Sequence, residues 1–155
     1  MTTTSVSLAD LAGLAGASLG PSDWITIDQD RVNTFADATD DHQWIHVDVE
    51  RANAESPFGG PIAHGYLTLS LLIPLFNQVL SVTDVSAAVN YGLNKVRFPA
   101  PVPVGSKLRL TGVINSVEEI PGGVQLTVDT VIEAEGGSKP VCIAQPVLRF
   151  LGDQG

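Results

Sequence analysis

The sequence is short of cysteine and of basic residues, and each shortage excludes a class of protein. Cys142 is the only cysteine among 155 residues, which excludes an internal disulfide framework and favours the reducing environment of the cytoplasm. Lys and Arg number 8 against 17 Asp and Glu, for a net charge of −9 at pH 7. Nucleic acids and anionic membranes attract positively charged proteins, so we expect neither as a partner.

Long hydrophobic runs and a charged leader are also missing. The first 20 residues contain no Lys or Arg, so they lack the basic start of a signal peptide. Residues 58–83 carry no charged side chain, but their densely apolar part spans only residues 66–76 and includes Thr68, Ser70 and Pro74. A membrane-spanning helix needs roughly 20 apolar residues. The segment therefore predicts a buried core helix and no membrane span.

Size and composition predict one folded unit. Hydrophobic residues make up 44% of the chain and charged residues 16%, which is enough apolar surface for a core. A chain of this length is typical of a single domain. We expect that domain to cover residues 1–155, with residues 1–20 as an amino-terminal extension.

The first half of the sequence predicts helices and loops. Asp28 is a candidate N-cap for a helix over residues 29–38. Residues 39–48 are polar and aperiodic, which favours a loop. A long apolar helix is predicted from Ala63 to Leu80.

The second half predicts strands. Apolar and polar residues alternate from Val124 to Glu133, which indicates a strand with one solvent-exposed face. The Pro-Gly-Gly at residues 121–123 predicts a hairpin turn before it. We expect an α+β fold in which an antiparallel sheet wraps the apolar helix and buries it on nearly all sides.

Asp41 and His46 are the first candidates for chemistry, because they lie five positions apart in the predicted loop. A carboxylate and an imidazole that converge can hold a water molecule, one group taking a proton while the other donates one. From spacing alone, a solvent-exposed Asp and His pair is the commoner interpretation. A metal site of His42 and His46 with Asp40, Asp41 and Asp48 is a further alternative, because His-x3-His is a ligand spacing.

Gly65 is the second candidate, at the start of the predicted apolar helix. A backbone N–H in the first helical turn has no intrahelical acceptor and lies at the positive end of the helix dipole. Such an N–H can stabilise a developing oxyanion. Close packing of the helix against a strand would explain the glycine equally well. The preceding His64 is expected to brace the turn before the helix.

Together these segments resemble the MaoC-like, (R)-specific enoyl-CoA hydratase family of hotdog-fold proteins, including its nodulation-protein-N-like branch. The pattern of that family is roughly G-D-x-N-P-x-H-x-D, followed by A-H-G and an apolar helix. Here residues 40–48 read D-D-H-Q-W-I-H-V-D and residues 63–65 read A-H-G. The resemblance covers residues 24–151 and implies a hotdog fold, in which an antiparallel sheet wraps a central helix.

The resemblance implies reversible hydration of trans-2-enoyl-CoA, or of the acyl carrier protein thioester, to the (R)-3-hydroxyacyl thioester. Asp41 and His46 would activate the water, and the Gly65 N–H would stabilise the enolate-like charge on the thioester oxygen. No metal or redox cofactor is implied, because the thioester itself acidifies C2. Tyr66 begins the densely apolar part of the predicted helix, residues 66–76, which is a candidate wall for the acyl chain.

Several positions depart from the family pattern. Asp40 stands where the family has Gly, and Gln43-Trp44 stands where it has Asn-Pro. Some hydratases of the family carry a serine at the position of Ile73, so substrate positioning through that hydroxyl is lost here. Two other functions stay open: a hotdog acyl-CoA thioesterase, and a non-catalytic acyl-CoA-binding or partner subunit.

The basic residues are concentrated late in the chain, where Lys95, Arg97, Lys107 and Arg109 lie close together in sequence. Solvated strand faces are the simpler interpretation. A local site for the phosphates of CoA on an otherwise acidic protein is the functional one. Lys95 and Arg97 lie two positions apart on a predicted strand, so their side chains share one face. We also expect a homodimer, because an edge strand and an apolar helix leave surface for a partner.

Overall fold

The computed structural model describes residues 2–152, with helices in the first half and long strands in the second. In chain order the elements are β1 (Thr4–Val6), a 3₁₀ helix (Ala9–Leu14), β2 (Ser18–Leu19), β3 (Ile25–Thr26), α1 (Gln29–Thr39), α2 (Trp44–Val47), α3 (Val49–Glu55), α4 (Gly65–Val79), β4 (Leu80–Val82), β5 (Val85–Arg97), β6 (Lys107–Ile120), β7 (Gly123–Ala134) and β8 (Cys142–Gly152). The predicted helices over residues 29–38 and 63–80 are confirmed as α1 and α4.

The main sheet has six strands in the order β2-β6-β7-β8-β5, with β3 also pairing with β6. Neighbouring strands of this sheet are antiparallel. β6 and β7 form a hairpin in which Ile120 pairs with Gly123, so the turn predicted at residues 121–123 is confirmed. Along β7, buried residues alternate with partly exposed ones, as the alternation of apolar and polar residues predicts.

The core lies between the sheet and one face of α4. Leu71, Leu72, Leu75 and Phe76 on that face are buried in the same cluster as the inward side chains of β6, β7 and β8. Burial of such side chains contributes about 1.5–3 kcal/mol each. The predicted α+β fold, an antiparallel sheet packed around a long apolar helix, is confirmed.

The prediction that α4 is buried on nearly all sides is wrong for the single chain. Tyr66, Ser70, Pro74 and Asn77 form an exposed stripe along the helix, and Tyr66 is 73% exposed. The reason is that the sheet of one chain covers only one side of the helix. β5, at the end of the sheet, is also exposed along almost its whole length.

Residues 4–19, which fall in the predicted amino-terminal extension, pack against the same core. β1 pairs in parallel with β4, and the 3₁₀ helix and β2 contribute the buried side chains of Leu11 and Leu19. No helix within residues 2–152 is both long and apolar enough to cross a membrane.

Candidate active site

Asp41 follows directly on the end of α1. The Asp28 side chain begins this helix by accepting a hydrogen bond of 2.8 Å from the N–H of Arg31, as its position in the sequence predicts. At the other end Asp40 takes the left-handed conformation, with φ 59°. Because this conformation ends a helix and turns the chain, Asp41 is brought back toward the start of α4.

His46 lies on α2, in the segment that the sequence analysis interprets as a loop. Residues 44–47 are helical because contacts from distant segments hold them. Gln29 of α1 donates a hydrogen bond of 2.8 Å to the His46 carbonyl, and the Ile62 N–H donates one of 3.0 Å to the Ile45 carbonyl. A helix of four residues cannot be stable by itself in water, so local sequence carries little signal for it.

The His46 ring has a fixed orientation. Its Nδ1–H donates a hydrogen bond of 2.7 Å to the Ile62 carbonyl, which leaves Nε2 as the nitrogen that can accept a proton. The side chain is buried. Burial lowers the pKa of His46 below the ordinary histidine value, and the neighbouring His64 lowers it further, whereas the bond to Ile62 and the charge of Asp41 act in the opposite direction. At neutral pH the ring is therefore neutral and can act as a base.

Asp41, His46 and His64 converge. One carboxylate oxygen of Asp41 and one ring nitrogen of each histidine all lie within 4.8 Å of one another. A single water molecule with hydrogen bonds of about 2.8 Å can reach two atoms at that separation. Asp41 is exposed while both histidines are buried, so the water would enter from the side of Asp41.

Of the five metal ligands considered from the sequence, the structure brings together only Asp41 and His46 among the described residues. His42 is exposed and bonds to the Asp37 carboxylate of α1 at 3.0 Å, and Asp48 caps α3 by accepting from the N–H of Arg51. The triplet that does converge contains the His46 and His64 rings, stacked at 3.9 Å and 22°. Nearly parallel rings direct their nitrogen lone pairs along separate planes, so the geometry suits a water molecule better than a shared ion.

Gly65 is the first residue of α4, a helix of 15 residues. Within residues 2–152 no protein group accepts a hydrogen bond from its N–H, so this donor is free for a ligand. The Phe98 ring packs against the glycine, and a Cβ at this position would lie 3.3 Å from that ring. The close approach of Phe98 is the structural reason for a glycine here.

A cavity of about 350 Å³ opens beside Gly65. Phe58, Thr68, Phe98 and Val141 are among the residues that line it. Its walls are mostly apolar, and Gly65, whose N–H is free, is among the residues that line it. This combination suits a ligand with an apolar chain and one polar oxygen.

Residues 10–135 match the sequence profile described as MaoC like domain. The chain belongs to the MaoC-like dehydratase family. It is therefore a hydro-lyase, an enzyme of the hydratase and dehydratase class.

Two relatives and one solved structure illustrate the similarity of this MaoC-like chain to known proteins. It is 58% identical over 146 residues to 3-hydroxyacyl-thioester dehydratase Z of Mycobacterium tuberculosis, covering 94% of this chain and 96% of the relative. It is 45% identical over 141 residues to Nodulation protein N of Rhizobium meliloti, covering 90% and 88%. The (R)-hydratase from A. caviae involved in PHA biosynthesis has a TM-score of 0.71 at 24% identity, covering 86% of this chain and 94% of that one. That likeness shows the shared hotdog fold.

The residues predicted to bind substrate lie around the same end of the MaoC-like domain. Tyr66 is exposed on α4, with its ring centroid 6.3 Å from that of Phe98. Lys95 and Arg97 are exposed near the end of β5. The other predicted basic residues, on β6, are separated from β5 by β7 and β8. The four bases therefore do not form one patch within a single chain.

Three further residues that the sequence analysis singles out are not free to act in the site. Arg109 of β6 pairs with the Glu133 carboxylate. Ile73, which replaces the serine of some hydratases, is partly buried against the core. Cys142 is buried, and burial raises the pKa of its thiol to about 11. The thiol stays protonated at neutral pH, as expected of a small core residue.

Sequence reasoning missed the part that Gln29 plays in this MaoC-like site. Its side chain joins α1 to the His46 carbonyl across 17 positions of sequence. A glutamine at the first position of a helix gives no indication of such a contact. For His64 of the A-H-G motif, the sequence indicates only a brace for the turn.

Proposed function

We propose that this protein is an (R)-specific enoyl-CoA hydratase, which reversibly converts trans-2-enoyl-CoA and water into (R)-3-hydroxyacyl-CoA. The observation that carries the proposal is the approach of Asp41, His46 and His64 to within 4.8 Å of one another, with the free N–H of Gly65 on the residue that follows His64 in sequence. General acid–base groups beside an oxyanion donor are what addition of water to an unsaturated thioester requires. The mycobacterial relative is a dehydratase of 3-hydroxyacyl thioesters by name, which supports a thioester substrate.

In the proposed reaction, Asp41 and His46 hold one water molecule. His46 accepts a proton at Nε2 while the oxygen of the water forms a bond to C3 of the substrate. Electrons of the C2–C3 double bond move toward the thioester carbonyl, and the Gly65 N–H stabilises the charge on its oxygen. The proton taken by the pair is then delivered to C2, so that the elements of water are added and both side chains return to their initial states.

The apolar cavity beside Gly65 would hold the acyl chain. Phe58, Phe98 and Val141 supply its apolar walls, and the thioester oxygen would lie at its edge, near the helix start. The pantetheine arm would leave past Tyr66, which is exposed at the same end of α4. Cytoplasmic acyl-CoA or acyl carrier protein thioesters would be the substrates.

The direct test uses crotonyl-CoA and the purified full chain. Hydration removes the conjugated double bond, so the ultraviolet absorbance of the enoyl thioester should fall, and chiral analysis should identify the (R) product. The same assay with crotonyl-acyl carrier protein distinguishes the two carriers. Release of free CoA thiol would instead indicate a thioesterase, and saturable binding of enoyl-CoA without turnover would indicate a binding subunit.

A homodimer is a second part of the proposal. β5 pairs with β8 on one side only within residues 2–152, and its exposed side chains include Val89, Tyr91 and Leu93. A long apolar edge is an open template for pairing with another strand. We expect light scattering at micromolar concentration to give twice the chain mass of 16.3 kDa. A mass equal to that of one chain would contradict the dimer.

Arg97 is proposed to bind the phosphates of CoA. Its Nη1 donates only to the neighbouring Val96 carbonyl, no carboxylate within residues 2–152 pairs with it, and the next residue, Phe98, lines the cavity. We expect Arg97→Ala to raise the KM for crotonyl-CoA several-fold with little change in kcat, because the phosphates are bound alike in ground and transition states.

Salt and a matched variant test the Arg97 prediction. The effect on KM should shrink as salt rises, because exposed charges are screened within about 8 Å at physiological ionic strength. Lys107→Ala removes a base on β6, on the far side of β7 and β8, and should leave KM unchanged. A lower kcat with unchanged KM in Arg97→Ala would place Arg97 at the chemistry instead of at the phosphates.

A further inference from the structure

His64 occupies the N-cap position of α4 without capping the helix. Its backbone carbonyl accepts the first hydrogen bonds of the helix, from the N–H groups of Leu67 and Thr68. Its side chain makes no capping hydrogen bond and is only 2% exposed. Ser, Thr, Asp and Asn are the residues that helix ends favour here. Helix formation therefore does not explain a buried imidazole at this position.

The ring of His64 contacts both residues of the proposed acid–base pair. Its Nε2–H donates a hydrogen bond of 2.9 Å to the backbone carbonyl of Asp41. Its face stacks on the His46 ring, with centroids 3.9 Å apart and planes inclined by 22°. The Phe35 ring of α1 packs against it at 4.9 Å. The residue that follows it in sequence is Gly65.

We infer that His64 is a positioning residue for the proposed hydration, and that its ring and its Nε2–H hold Asp41 and His46 at the separation that binds the reacting water. The inference rests on the proposed function. Asp41 belongs to an exposed segment between two helices. The hydrogen bond from His64 to its backbone carbonyl ties that segment to the start of α4. A misplacement of reacting groups by about 1 Å can cost roughly a hundredfold in rate.

His64 acts through its neighbours and not on the substrate. Its Nε2–H is used by the Asp41 carbonyl. Its Nδ1 is buried and has no hydrogen-bond partner within residues 2–152. In the inferred role, one imidazole joins the carboxylate loop, the base and the start of α4 and acts by holding them in place.

The two contacts of His64 can be removed separately. His64→Phe keeps an aromatic ring against His46 and loses the N–H donor, whereas His64→Gln keeps an N–H near the place of Nε2 and loses the ring. We expect each variant to lower kcat for crotonyl-CoA by about tenfold or more, with KM changed less than threefold. Thermal unfolding of each variant provides the control for folding.

A double variant separates positioning from a general loss of structure. In the Asp41→Asn background, adding His64→Phe should lower kcat little further, because residues that act as one unit are not additive. A residue that supports only the fold would reduce the activity of Asp41→Asn by the same factor as that of the wild type. Such an additive loss would overturn the inference, as would wild-type kcat in both single variants.

The titration of His46 supplies a readout that does not need turnover. The titratable groups that act on its ring are His64, from the segment before α4, and Asp41, from the loop before α2, while α1 presents the uncharged Gln29 to its backbone. His64→Phe keeps the site buried and removes the neighbour that lowers the pKa of His46. That pKa should rise in an NMR titration, and the acidic limb of kcat/KM should move to higher pH.

The outcomes distinguish the inference from the proposed function. An inactive wild type would contradict the hydratase, and the NMR titration would still test the contact between the two rings. An active wild type with unchanged kinetics and an unchanged His46 titration in His64→Phe would overturn the role of His64 alone.

Discussion

Asp41→Asn and His46→Gln are each expected to lower kcat for enoyl-CoA hydration by at least about a hundredfold, because general acid–base groups contribute roughly 10²–10⁴ in rate. Both substitutions nearly keep the size of the side chain, and each variant has a polar amide in place of the lost group. Folding should therefore be preserved. Steady-state kinetics with crotonyl-CoA, alongside thermal unfolding, measure the two effects.

Neighbouring residues on the same segment serve as matched controls. His42→Gln changes an exposed histidine that bonds to Asp37, and Asp40→Asn changes a left-handed residue to another that tolerates this conformation. Both should retain near-wild-type kcat. The double variant of Asp41 and His46 should be about as slow as the slower single variant. A much slower double variant would argue against a shared water molecule.

Gly65→Pro is expected to reduce kcat by about 10²–10³-fold, the range measured for loss of one oxyanion donor. Proline is favoured at the first position of a helix, and His64 already has φ −62° and ψ 137°, which suits a residue before proline. The substitution therefore removes the free N–H while α4 can still form. Single-turnover kinetics would assign the loss to the chemical step.

Gly65→Ala is the matched control for this variant. Either substitution places a Cβ about 3.3 Å from the Phe98 ring, so both carry the cost of that contact, but alanine retains the N–H whereas proline replaces its hydrogen with Cδ. We expect Gly65→Ala to be much faster than Gly65→Pro, with a small increase in KM where Phe98 shifts. Equal kcat values in the two variants would show that the N–H does not stabilise the transition state.

The parts of the fold that were predictable are those with a local signal. Asp28 caps α1 where the sequence indicates, and β7 follows the alternation of its side chains. The four-residue α2 was not predicted, because its conformation depends on bonds from Gln29 and Ile62 in other segments. β5 does alternate, because Val85, Ala87, Val89, Tyr91 and Leu93 are separated by small or polar residues, but the side chains on both of its faces are exposed in one chain.

Some parts of the candidate site were likewise predictable from the sequence and others were not. Asp41, His46 and Gly65 could be selected from motifs and their order, since the chemistry of each follows from its residue type and place. The stacked contact between His46 and His64 could not, because nothing in sequence spacing fixes how two rings meet. The four bases are close in sequence but do not form one patch in a single chain, because β7 and β8 lie between β5 and β6. Proximity in sequence does not reveal that separation.

The walls of the cavity come from segments other than those that hold the proposed acid–base pair. Phe58 precedes α4, Phe98 follows β5 and Val141 precedes β8, whereas Asp41 and His46 lie between α1 and α3. Mutations that deepen or shorten the cavity can therefore accumulate without disturbing the proposed acid–base groups. If the cavity holds the acyl chain as proposed, acyl-chain preference can diverge independently of bond chemistry, with these three positions as the sites of divergence.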